Sequence, residues 1–257
     1  MSRIASAFKK RSAQNKKAFI VYIMAGDPDL QETKKRVLML AKSGVDIIEL
    51  GVPFSDPLAD GPTIQMAAER ALNAGVALKD VISLVRELRA ETSIPLVLMT
   101  YQNPVFKYGE ERFVADAAAA GVDGVIIPDL PFDEAAGIIK PARAAKLDTI
   151  FLAAPTSTNE RAAKIAAASR GFVYYVSLVG ITGSKLEIGE DLRDHISYLK
   201  SCTATPVAAG FGVSNPQDAK LMSEIADGVI VGSAIVKVFH EQPDRAEDFI
   251  KQLREAI

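Results

Sequence analysis

Eight short apolar runs recur along the chain, at residues 19–24, 46–50, 95–99, 124–127, 148–152, 172–176, 206–208 and 228–231. Amphipathic helical patterns such as QETKKRVLMLAKSG, ERFVADAAAAG and NERAAKIAAAS lie between them. The runs are continuously apolar rather than alternating, as strands are when both faces are buried. A helix between successive strands argues for parallel pairing, because parallel neighbours need a crossover. Eight such units in 257 residues match the size of a (β/α)8 barrel. An open doubly wound sheet is the alternative, but the turn after the first run, MAGDPDL, lacks the glycine-rich dinucleotide fingerprint expected there. No linker, low-complexity tract or charge run divides the chain. One barrel domain over 1–257 is expected, with added helices at 2–14, 62–73, 78–90 and 246–256.

Charge narrows the function classes. With a formal net charge of -2, the chain as a whole does not look built for nucleic acid, although the balance is uneven. Residues 1–17 are basic and free of acids, with Arg3, Lys9, Lys10, Arg11, Lys16 and Lys17. The spacing of Ile4, Ala5 and Phe8 favours a short amphipathic helix there over an organelle presequence. No run of about 18 apolar residues exists to span a membrane. Cys202 is the single cysteine, which excludes a disulfide framework and a cysteine zinc site and fits a reducing, cytoplasmic setting.

A barrel of this class carries its chemistry at the C-terminal ends of its strands. Those ends read MAGDP, ELGVPFSDP, MTYQNP, IPDLP, LAAPT, VSLVGITG, AAGFG and VGSAI. They hold no lysine for a Schiff base and no histidine for a catalytic zinc, so carboxylates and tyrosines are the acid–base candidates. Glu49 follows Ile47 and Ile48 at the rim of a dry interior, where burial raises a carboxyl pKa and makes it a proton shuttle. Asp60 precedes Gly61 and Pro62, so helix cap and catalyst stand equal on local pattern. Asp27, Asp56 and Asp129 read as turn or cap residues. Gly210, Phe211 and Gly212 after the seventh strand, and Gly232 and Ser233 after the eighth, resemble a phosphate cradle of backbone amides and a helix N-terminus. Gly183 offers further amides. The loop from 178 to 191, with Thr182, Gly183, Lys185 and Gly189, is long enough for a lid. Tyr22, Met99, Tyr101, Ile126, Leu152, Tyr174 and Phe211 fall near strand ends and could line a flat aromatic pocket.

Taken together, MSRIASAF, YIMAGDPD, IELGVPFSDPLADGPTIQ, MTYQNPVFKYG, IIPDLP, APTS, GFVYYVSLVGITG, AAGFGVS and VGSAIVK resemble, in order and over nearly the whole chain, the alpha chains of tryptophan synthase. The resemblance implies a single barrel with an added N-terminal helix. It implies retro-aldol cleavage of indole-3-glycerol phosphate to indole and glyceraldehyde 3-phosphate, with Glu49 and Asp60 as catalytic carboxylates. Phosphate would lie at Gly183, Gly212, Gly232 and Ser233, with Thr182 nearby. The indole ring would lie among Tyr22, Met99, Ile126, Leu152 and Phe211, beside Tyr101 and Tyr174. No metal and no cofactor is implied for this chain. Pyridoxal phosphate would belong to a partner beta subunit in an alpha2-beta2 complex, which Asp56 would contact. A stand-alone lyase and a weakly catalytic, phosphate-binding regulatory subunit are the alternatives. The family often has Phe at position 22, Leu at 99 and Thr at 24; this chain has Tyr22, Met99 and Met24. Near Leu178 and Val179 the family often has Arg or Thr.

Overall fold

The computed structural model describes residues 1–176, 189–210 and 212–257. Its strands are β1 (Ala18–Met24), β2 (Ile47–Gly51), β3 (Leu96–Met99), β4 (Gly124–Ile126), β5 (Asp148–Ile150, resuming as Leu152–Ala153), β6 (Val173–Tyr175), β7 (Val207–Ala209) and β8 (Gly228–Val231). All pairings are parallel and run in sequence order, with β8 returning to β1. The first half of β5 pairs with β4 and its second half with β6. A break at Phe151 lets one strand serve two neighbours, so the ring is joined through the chain itself. That joining excludes the open doubly wound sheet.

Successive strand residues alternate between the barrel interior and the helix layer. Ala18, Ile20, Ile47, Val97, Ile126, Ile150, Phe172, Tyr174, Ala208 and Ile230 point inward and form one cluster. Phe19, Val21, Ile23, Ile48, Leu50, Leu96, Leu98, Val173 and Val229 point outward into the larger core beneath the helices. The N-terminal helix α1 (Arg3–Ser12) sends the buried side chains of Ile4 and Phe8 into the inner cluster. It plugs the mouth opposite the strand C-termini.

Around the ring run α2 (Leu30–Lys42), α3 (Pro62–Asn73), α4 (Leu78–Leu88), α5 (Gln102–Tyr108), α6 (Glu110–Ala120), α7 (Ala136–Ala145), α8 (Asn159–Ala168), α9 (Glu190–Cys202), α10 (Pro216–Ser223), α11 (Ser233–Glu241) and α12 (Ala246–Ala256). The added helices fall close to the sequence expectation. The short α5 was not among them. Its first amide, Gln102 N–H, donates to Asp129 Oδ1 at 2.9 Å, so a residue on the next loop starts this helix.

Asp46 ties both ends of the chain to the barrel. Its carboxylate accepts from Arg11 Nε at 2.6 Å, Arg254 Nη1 at 2.9 Å and the Phe19 amide at 2.9 Å. Its side chain is 8% exposed. Removing one partner of a buried pair strands the others. Asp46→Ala is expected to lower stability by about 3–5 kcal/mol, read as a shifted urea midpoint at unchanged slope.

Candidate active site

Glu49 follows Ile47 by two residues, and that parity turns its carboxyl into the barrel, in register with Tyr22 on one side and Val97 on the other. It is wholly buried, and neither carboxylate oxygen has a partner among the described residues. Burial alone pushes its pKa from 4.5 to about 8, because no neighbour repays the loss of water around the charge. Near neutral pH Glu49 is therefore a carboxylic acid with a proton to give.

Asp60 is half-buried on the loop between β2 and α3. The N-cap of α3 is Gly61, without a side-chain cap bond, so capping is not the role of Asp60. Burial raises its pKa, and the neighbouring Tyr101 hydroxyl opposes the rise. The same hydroxyl accepts from the Ala59 amide at 3.2 Å. The Tyr101 ring lies 5.4 Å from that of Phe54, centroid to centroid. The loop therefore meets the end of β3 at Tyr101.

Tyr22 stands within the electrostatic reach of both carboxyls. Burial first, then the charges of Asp60, Tyr101, Glu49 and Tyr174, hold its phenol well above the ordinary range. Tyr174 is raised by burial and then by Glu49 and Asp60. The Tyr22 hydroxyl lies against Gly51, where any side chain would collide with it. A glycine two residues past Glu49 thus lets the tyrosine lie over the end of β2.

The remaining expected residues divide by place. Met99 pairs in register with both Gly51 and Ile126, and Leu152 with Tyr174, all at inward-facing positions. Met99 also packs with Tyr22 and Met24. Gly212 has φ 73°, a left-handed conformation open to glycine. Gly232 is the N-cap of α11 without a side-chain cap bond, and exposed Ser233 opens the helix. A Cβ on Gly232 would stand 3.5 Å from Tyr22 Cβ, so the helix start adjoins the tyrosine. Thr182, Gly183, Lys185, Leu178, Val179 and Phe211 lie outside the described residues, as does most of the expected lid. No group of three His, Cys, Asp or Glu side chains with metal-binding spacing occurs among the described residues.

Two acidic residues read as turn formers have other partners. Asp129 anchors α5. Asp27 is buried and takes a two-pronged ion pair from Arg70, while the cap of α2 is Asp29, which accepts from Glu32 N–H at 2.7 Å. Asp56 is exposed and accepts from Ser55 Oγ. Sequence reading missed Arg70, Gly51 and Phe54; of these only Gly51 had a local signal, its place two residues beyond an inward-facing carboxyl.

The parallel ring, with polar groups gathered at the C-terminal ends of its strands, defines a (β/α)8-barrel enzyme. The sequence profile of the family "Tryptophan synthase alpha chain" matches residues 8–257. The alpha chain of Geotalea uraniireducens is 51% identical over 241 residues, covering 94% of this chain and 90% of that protein. That of Geobacter sulfurreducens is 48% identical and covers 100% and 99%. Among solved structures, the alpha subunit of Legionella pneumophila superposes with TM-score 0.92 at 37% identity, covering 100% and 98%. A chain of Mycobacterium tuberculosis tryptophan synthase superposes at 0.93 with 40% identity, covering 100% and 98%. The chain belongs to the tryptophan synthase alpha chain family. It is a carbon–carbon lyase of tryptophan biosynthesis that cleaves indole-3-glycerol phosphate.

Proposed function

We propose that Glu49 and Asp60 carry out this cleavage as a proton shuttle and a charge stabiliser. The observation that supports the reading is the buried carboxyl of Glu49, without a hydrogen-bond partner among the described residues. Indole is a poor leaving carbanion. Glu49, as the acid, protonates ring carbon C3 and forms an indolenine. Asp60 accepts a hydrogen bond from the ring N–H and stabilises the positive charge there. Glu49, now a carboxylate, takes the proton of the glycerol hydroxyl. The carbon–carbon bond breaks, its electrons restore the indole ring, and the hydroxyl carbon becomes the aldehyde of glyceraldehyde 3-phosphate. Neither a lysine nor a metal is needed as electron sink. Tyr22, Met99, Ile126, Leu152 and Phe211 form the indole pocket in this reading, with Tyr101 and Tyr174 beside it. Because the acid form of Glu49 acts first, kcat/KM is expected to fall as pH rises through about 8. A pH–rate profile flat through that range would remove the assignment.

Phosphate binds at Gly212, Gly232 and Ser233, with Gly183 and Thr182 from the preceding loop. Gly212→Leu is expected to weaken glycerol phosphate binding strongly, by blocking the approach of the anion. Ser233→Ala removes one hydroxyl and should cost about 0.5–1.5 kcal/mol, or up to ~3 if the bond is to the charged phosphate. Calorimetric titration measures both, and unchanged affinity in a folded Gly212→Leu variant would move the phosphate elsewhere.

The chain works with a beta subunit as an alpha2-beta2 heterotetramer in the cytoplasm, and pyridoxal phosphate belongs to that partner. Among the described residues no helix is long and apolar enough to cross a membrane. Leu58 and Phe106 are 85% and 71% exposed, and a groove of about 560 Å³ runs among Phe54, Ser55, Asn103 and Lys107 near them. Exposed apolar side chains on the Asp60 loop and on α5 favour a docked partner over a stand-alone lyase. Indole release assayed with and without a beta chain tests this; equal rates would favour the stand-alone reading.

A further inference from the structure

We propose that the Asp27–Arg70 ion pair is a positioning device that sets where α3 carries Asp60. The inference rests on the reading of Asp60 as a catalytic group. Arg70 Nε and Nη2 donate to Asp27 Oδ1 and Oδ2 at 2.7 and 2.8 Å, a fork-on-fork geometry that fixes direction as well as distance. Asp27 is 4% exposed, and its turn is held from behind. Arg36 Nη1 donates to the Asp27 carbonyl at 2.7 Å, and the Gly26 amide donates to Thr33 Oγ1 at 2.9 Å. The acceptor is therefore a fixed post at the end of β1.

Among the described residues, the other buried contacts that α3 makes with its neighbours are apolar, most of them by small side chains. Its inner face is Ile64, Ala67, Ala68 and Ala71 against Tyr22, Met24 and Val236, and three of those four side chains are single methyl groups that interlock weakly. No side chain caps its N-terminus. At that end Gln65 Nε2 donates to the Asp60 carbonyl at 2.8 Å, coupling the first turn of the helix to Asp60. A shift of α3 along its axis therefore carries Asp60 with it. Arg70, two turns on, is the point at which the structure resists that shift.

Such a residue should act on the rate through Asp60 and leave phosphate binding alone, since misplacing a reacting group by about 1 Å can cost on the order of 100-fold. The test is a double-mutant cycle in the complex with the beta subunit, read as indole release and as glycerol phosphate affinity. Arg70→Met is expected to lower kcat by roughly 10- to 100-fold with an unchanged dissociation constant for glycerol phosphate. Arg70→Lys, which keeps the charge and loses the fork, should fall between Arg70→Met and wild type and serves alone if Arg70→Met does not fold. In an Asp60→Asn background either change should alter the residual rate by less than about twofold, because coupled residues are not additive. Equal losses in both backgrounds, or a parallel loss of glycerol phosphate affinity, would show a general structural role and overturn the proposal. A fully active Arg70 variant beside an inactive Asp60→Asn would sink the proposal alone. Normal turnover by Asp60→Asn would sink both the proposal and the reading beneath it.

Discussion

Glu49→Gln is expected to release indole roughly 10²- to 10⁴-fold more slowly than wild type, the usual contribution of a positioned proton donor. Glutamine matches glutamate in size, and the carboxyl it replaces has no hydrogen-bond partner to lose among the described residues. Stability provides the control. The Glu49 pKa is raised on folding, from 4.5 to about 8. Below pH 4.5 both folded and unfolded states hold the proton and the titration of this site costs no stability. Between 4.5 and 8 only the unfolded state ionises, so wild-type stability falls with rising pH, by up to about 1.4 kcal/mol per unit. Glutamine does not titrate. The variant should melt at a similar temperature near pH 4.5 and progressively higher than wild type towards pH 8. A dead enzyme that is more heat-stable at alkaline pH identifies a proton shuttle whose burial costs stability. Near-normal turnover would exclude that role.

Asp60→Asn is expected to reduce the rate by about 10²- to 10³-fold, the scale on which loss of one group that stabilises developing charge is felt. Asparagine keeps the shape and one acceptor oxygen, but it carries no charge to offset the positive indole nitrogen. The helix behind it should not notice: the N-cap of α3 is Gly61, and asparagine caps as well as aspartate in any case. A melting temperature within about a degree of wild type is the expected control. A lowered melting temperature with normal indole release would return Asp60 to a structural role.

Local patterning made much of the molecule legible. Strand positions follow from short apolar runs, and α3 and α12 begin and end at the residues expected from Pro62, the helical period and the terminal pattern. Parity along β2 places Glu49 inside, since it follows Ile47 by two residues on a pleated strand. These features depend on neighbours two to four positions apart, which any reading of the chain can see. The short α5 escaped because its opening amide is satisfied by Asp129, 27 residues onward. For Asp60, cap and catalyst stand equal on local pattern, and only the folded helix start shows that the N-cap is Gly61.

Residue order alone determined the kind of fold and singled out the carboxyls proposed to do the chemistry, because hydrophobic period and turn chemistry are local. Partnership was decided by tertiary packing. It left Glu49 without a hydrogen-bond partner among the described residues, brought Tyr22 over Gly51, and set Arg70 against Asp27 across 43 positions. A pKa near 8 and a fixed helix register are properties of what surrounds a side chain in space. Only the packed barrel brings those surroundings together.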